Sequence, residues 1–123
     1  MAIMSFDALD LTKELISIDS VSRNSNVAAS NFLQVLLEGI GFEVERLEYN
    51  DVEGIRKVNL VGRRGNGSGG LAFFCHIDTV PGDHWRSDPF AAHIQGDRLT
   101  GLGSCDMKGP LAATVEAAAM HSS

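Results

Sequence analysis

His76, Asp78 and Asp106 are the residues whose types and spacing could do metal chemistry in this 123-residue chain. His76 and Asp78 stand in FFCHIDTVP (73–81), at the end of the apolar run Leu71, Ala72, Phe73, Phe74, Cys75. A spacing of two turns both side chains to one side of an extended chain. An imidazole beside a carboxylate there makes half a metal site: the histidine ligates, and the carboxylate fixes its tautomer and raises its basicity. Asp106 stands in GLGSCDMKG (101–109), where Gly101 and Gly103 permit a tight turn before a helix opening at Pro110. Each residue also has a plainer reading. A single histidine after an apolar strand is more often a hydrogen-bonded histidine than a ligand, and an Asp before a helix is most often a cap.

The other chemistry-bearing residues read as structural. Cys75 precedes His76, so on an extended chain it points to the opposite face, into the core. That makes it a poor zinc ligand and a poor nucleophile for a Cys–His hydrolase. His84 lies in a Gly/Asp loop, and His93 alternates with apolar residues as an exposed strand position. Gly65, Gly67 and Gly70 fit GxGxxG literally, but a strand follows where a dinucleotide site needs a helix, so a hairpin loop is the stronger reading.

Three helices and three strands must position the site. The spacing of Phe6, Leu9, Leu11, Leu15, Ile16 and Ile18 predicts a helix over 6–18, capped by Ser5. A second helix is predicted over 27–38, with Phe32, Leu33, Leu36 and Leu37 buried and Gly39 or Gly41 closing it. Strands are predicted over 42–49, 57–63 and 71–76. The first alternates apolar and charged residues, and the third is continuously apolar, as a strand buried on both faces should be. A surface excursion over 78–97 is pinned by Trp85, Pro89 and Phe90. A short strand over 98–102 then leads to Asp106. The last helix, 110–120, is rich in alanine and can pack closely on a sheet. The fold expected is α/β, with the three strands in one sheet and helices on its faces.

Composition excludes more than it assigns. The length suits one domain, and 44% hydrophobic with 21% charged residues suits an ordinary globular one. A net charge of −6, with no basic cluster beyond Arg63–Arg64, argues against nucleic acid or an anionic membrane as a partner. No apolar run approaches a membrane span, and the N-terminus lacks the character of a secretory signal. Two cysteines without a CxxC pair suit a reduced, cytoplasmic setting.

HIDTVP, then Trp85, DPF (88–90) and GLGSCDMKG together resemble the signature of the di-zinc aminoacylase/carboxypeptidase family, which includes acetylornithine deacetylases and succinyl-diaminopimelate desuccinylases. The resemblance runs from LISIDSVS (15–22) onward. It implies a three-layer, zinc-exopeptidase-like fold and hydrolysis of an amide, with an N-acyl amino acid or short peptide as substrate. It implies two Zn2+ per complete site, with Co2+ as a possible substitute. It makes His76 a ligand of one metal, Asp106 the bridge between both, and Asp78 the catalytic-site residue that orients His76. It also implies a cis peptide at Asp106–Met107. In the family a Glu-Glu pair beyond the bridging aspartate supplies the general base and a further ligand. Here Glu116 lies mid-helix without that wording. The chain is therefore expected to be the N-terminal portion of a catalytic domain, without the lid and dimerisation domain that would make the full-length form a homodimer. Alone it is expected to be poorly soluble and inactive. The alternative is a non-catalytic α/β module with at most weak metal binding.

Overall fold

In a computed structural model, which describes residues 7–121, helix α1 (Ala8–Ser17) starts at Asp7. The Asp7 carboxylate accepts the Leu9 amide at 2.7 Å, so this residue performs the capping expected of Ser5. Ser5 and Phe6 lie outside the described residues. Leu11, Leu15 and Ile16 form the buried stripe of α1. Helix α2 (Val27–Gly39) buries Ala29, Ser30, Leu33 and Leu36. It ends through Gly41, whose φ of 90° lets the chain reverse so that the Phe42 amide reaches the Leu37 carbonyl at 3.0 Å.

Strands β1 (Glu43–Asn50) and β2 (Arg56–Arg63) form an antiparallel ribbon, registered from Glu43 opposite Arg63 to Asn50 opposite Arg56. Asp51 closes its turn by accepting the amides of Glu53 and Ile55, each at 2.9 Å. Helix α2 packs on the ribbon. A second small hairpin pairs β3 (His93–Gln95) with β4 (Arg98–Thr100) across Gly96. A kinked five-residue turn (Ser104–Lys108) then leads into α3 (Gly109–Met120), with Pro110 in its first turn.

The continuous core consists of Leu11 and Leu15 from α1, Leu33 and Leu36 from α2, and Leu111, Ala112 and Val115 from α3. Among the alanines of α3, Ala112 serves the approach to α1 and has no exposed surface, whereas Ala113 and Ala117 face outward. No helix is long and apolar enough to cross a membrane among the described residues.

The expected third strand is the main correction. Residues 71–76 run without a ladder partner, and Leu71, Phe73 and Phe74 are 82%, 63% and 94% exposed. Cys75 is exposed as well, not turned into a core. Among the described residues no strand lies beside this segment, so its apolar side chains have nothing to cover them. The single bridge nearby is parallel, Val21 to Thr79, just beyond His76. The expected three-stranded sheet is thus a two-stranded ribbon plus a separate hairpin.

Candidate functional site

Two segments meet at the site. The first carries His76 and Asp78. Residues 20–22 hold it: the Thr79 amide donates to the Ser20 carbonyl at 3.1 Å, and the Ser22 amide returns to the Thr79 carbonyl at 3.0 Å. The Ser20 hydroxyl also donates to the Ile77 carbonyl at 2.6 Å. The second is the turn carrying Asp106. It is non-helical at Asp106 and Met107, and the peptide between them is cis, as the resemblance implies.

Glycine is required on this second segment. A Cβ at Gly101 would come within 2.7 Å of the Ile16 side chain, and one at Gly103 within 2.5 Å of the Thr79 methyl. Gly103 also has a φ of 76°. Small residues here let the turn press onto α1 and onto the segment that bears His76.

Lys108 fixes the turn from below. Its side chain is buried, and Nζ donates to the carbonyls of Leu15 at 2.7 Å and Ile18 at 2.9 Å. A cation is unfavourable at the start of α3 but favourable at the C-terminal carbonyls of α1, where the ammonium actually sits. Burial pushes its pKa down to about 8. No sequence signal marks it, because a lysine in a polar turn reads as a solvated charge.

The three candidate residues come together. His76 Nε2 is 2.8 Å from Asp106 Oδ1. On the other side of the ring, Nδ1 is 3.0 Å from the Asp78 carbonyl and 3.3 Å from Asp78 Oδ1. Oxygen atoms at both nitrogens favour imidazolium in the metal-free chain. The hydrogen bond that His76 Nε2 donates to the Asp106 carboxylate is the main cause that raises the His76 pKa above its ordinary value, against a smaller opposing effect of desolvation. The backbone amide of His76 also donates to the Met107 sulfur at 3.3 Å, joining the two segments directly.

Ser22, Val80, Trp85, Leu102 and Cys105 complete an open cleft around these groups. Trp85, Pro89 and Phe90 are half-buried, and the Leu102 amide donates to the Pro89 carbonyl at 2.8 Å, so the excursion is pinned as expected. His84 and His93 are exposed and do not line the cleft, and Glu116 lies half-buried on α3. Among the described residues no group of three His, Cys, Asp or Glu side chains is arranged to hold one metal ion. His76 and Asp106 are two donors facing each other, with Asp78 turned toward the far side of the ring.

Residues 72–123 match the profile described as Peptidase family M20/M25/M40. A succinyl-diaminopimelate desuccinylase of Rhizorhabdus wittichii is 43% identical over 114 residues, which are 92% of this chain and 30% of that protein. An acetylornithine deacetylase of Myxococcus xanthus is 38% identical over 85% of this chain and 28% of its own length. The chain thus spans about 30% of the length of the curated relatives it matches. The crystal structure of human carnosine dipeptidase 1 superposes with a TM-score of 0.80 at 22% identity, over 90% of this chain and 27% of that one. That likeness shows the fold: an α/β arrangement shared with that dipeptidase over the part seen here.

Proposed function

We propose that the chain belongs with the M20/M25/M40 peptidases and forms the N-terminal portion of the catalytic domain of a zinc-dependent amidohydrolase. The reaction would remove the acyl group of an N-acyl amino acid, as acetylornithine and succinyl-diaminopimelate relatives are named for, or cleave a short peptide. The observation that carries this reading is the 2.8 Å approach of His76 Nε2 to Asp106 Oδ1, with Asp78 on the other ring nitrogen.

In this reading His76 and Asp106 would hold zinc, with Asp106 serving both ions of a complete site and Co2+ as a possible substitute. The donor set suits the ion: an imidazole nitrogen and a carboxylate oxygen are ordinary zinc ligands, and the exposed Asp106 carboxylate is free to adjust. When bound, the metal supplies Lewis acidity and a water ionised near neutral pH. The chain's own residues do the rest of the positioning. With the metal bound, Asp78 and its carbonyl would accept the Nδ1 hydrogen, so that Nε2 gives up its hydrogen to ligate. Gly101 and Gly103 keep the Asp106 turn close to His76, and Trp85 walls the cleft.

The general base and the remaining ligands come from polypeptide beyond these residues, as do the lid and the homodimer contact. The setting is cytoplasmic and the partner a small molecule, with no role for nucleic acid or membrane. A non-catalytic module with weak metal binding is the second reading. It is favoured by the lack of a three-ligand group among the described residues.

The test is to load this chain, and a chain extended to its relatives' length, with zinc and assay both on acetylornithine, N-succinyl-diaminopimelate and other acyl amino acids. Only the extended chain should turn over, and Asp106→Ala should abolish it. Absence of the base alone should cost this chain about 10²–10⁴-fold. Turnover by the 123-residue chain that disappears in His76→Ala would contradict the partial-site reading, and an inert extended chain would favour the second one.

A further inference from the structure

The geometry points to Ser22 as a positioning residue for His76, acting through Asp78. This rests on the reading of His76 as a metal ligand and adds a residue that neither the spacing nor the similarities assign.

The Ser22 backbone is fixed from three directions. Val21 is buried and bridges to Thr79, and the Ser22 amide donates to the Thr79 carbonyl. The Lys57 ammonium donates to the Ser22 carbonyl at 2.7 Å and the Asn24 carbonyl at 2.5 Å. Asn26 then docks on β2: its amide nitrogen donates to the Val58 carbonyl at 2.9 Å, and its oxygen accepts the Val58 amide at 2.8 Å. The hydroxyl is therefore presented from a segment stitched to the β1–β2 ribbon on one side and to the His76 segment on the other.

That hydroxyl has one hydrogen and two acceptors in reach, Asp78 Oδ2 at 2.6 Å and the Thr79 carbonyl at 3.1 Å. A carboxylate is the stronger acceptor, and 2.6 Å is the length of a charge-assisted O–H···O⁻ bond. With Oδ2 held by Ser22, Oδ1 is left facing His76 Nδ1 at 3.3 Å. Asp78 is half-exposed, and without Ser22 its carboxylate would be free to turn to water. The neutral imidazole would then keep its Nδ1 hydrogen only through the Asp78 carbonyl. Ser22 thereby shifts the ring toward the Nδ1–H tautomer, against the Asp106 carboxylate, which holds a hydrogen on Nε2.

The experiment uses the 123-residue chain labelled with 15N. Long-range 1H–15N correlation of the His76 ring reads the tautomer at a pH where the ring is neutral, and calorimetry with zinc alone reads affinity. In the parent chain both neutral tautomers should be populated, since Asp106 accepts from Nε2 and Asp78 from Nδ1. Ser22→Ala should raise the Nε2–H population and weaken zinc binding by about 10-fold, the lower end of the effect of outer-shell changes. Ser22→Thr, which keeps the hydroxyl, should restore both readouts, and Ser22→Cys, a weak donor, should fall between them. An unchanged tautomer and affinity in Ser22→Ala overturns the proposal. So does a Ser22→Thr variant as impaired as Ser22→Ala, since that pattern marks only local packing. His76→Ala separates this from the reading beneath it. If zinc binding is the same with and without His76, the ligand assignment fails, while the tautomer measurement still decides the role of Ser22.

Discussion

Asp106 and His76 reach the same cleft from differently built supports. Asp106 hangs from a turn whose last residue, Lys108, is 2% exposed and bonded to two carbonyls of α1, beside the core that α1 and α3 share. His76 ends a segment whose Leu71 and Phe74 are 82% and 94% exposed, held by backbone and hydroxyl bonds to residues 20–22. The first support is complete within these residues, whereas the second is secured along one side. A half-site can thus keep its geometry on a partly uncovered chain, because each arm is tied to elements that do pack.

Breaking the Asp106 support should have the largest effect. Lys108→Met leaves two helix-end carbonyls without their buried donor and should cost about 2–3 kcal/mol in a urea melt. A loss below about 0.5 kcal/mol, the size of an ordinary surface change, would mean that the turn is not anchored there. The same lysine sets a pH signature. Its folded pKa is about 8 against an ordinary 10.5, so the folded state penalises the charged form at lower pH. Its contribution to stability should rise between pH 8 and 10.5, and this rise should vanish in Lys108→Met.

Gly103→Ala should follow, with a loss of about 1–3 kcal/mol, since it places a Cβ at positive φ against Thr79. The His76 arm should show a gentler dependence on pH. The raised folded pKa means that protonated His76 adds stability, fully present below the unfolded value near 6.5 and lost as pH rises through the folded one. Zinc needs the same nitrogen deprotonated, so its affinity should climb across that interval. Calorimetry from pH 5 to 8 checks both signs. Phe74→Ser should change stability least, within about 0.5 kcal/mol, while raising solubility by removing an exposed apolar side chain from a segment without a ladder partner. A loss near that of Lys108→Met would show that the His76 segment is covered after all.

Periodicity was informative wherever a segment could satisfy itself against its neighbours. The stripe of Leu11, Leu15 and Ile16, the alternation through 43–50 and Pro110 before an alanine-rich run each led to the element observed. The run Leu71–Cys75 misled, because an apolar pattern states a demand for burial and not the presence of a strand to meet it. Spacing put His76 and Asp78 together at the end of one segment, and the resemblance singled out these two and Asp106 as a set, which the fold brings to one cleft. Lys108 and Ser22 were not legible, since a buried ammonium and a hydroxyl aimed at a carboxylate depend on partners 90 and 56 residues away.

The central claim is that His76 and Asp106 share one metal ion, and X-ray absorption at the zinc edge of the loaded chain tests it directly. The expected first shell is nitrogen and oxygen at about 2.0–2.1 Å with the outer scattering of a single imidazole, lost in His76→Ala. A shell with sulfur at about 2.3 Å, from the exposed Cys75 or Cys105, or one without imidazole in the parent chain, would contradict it.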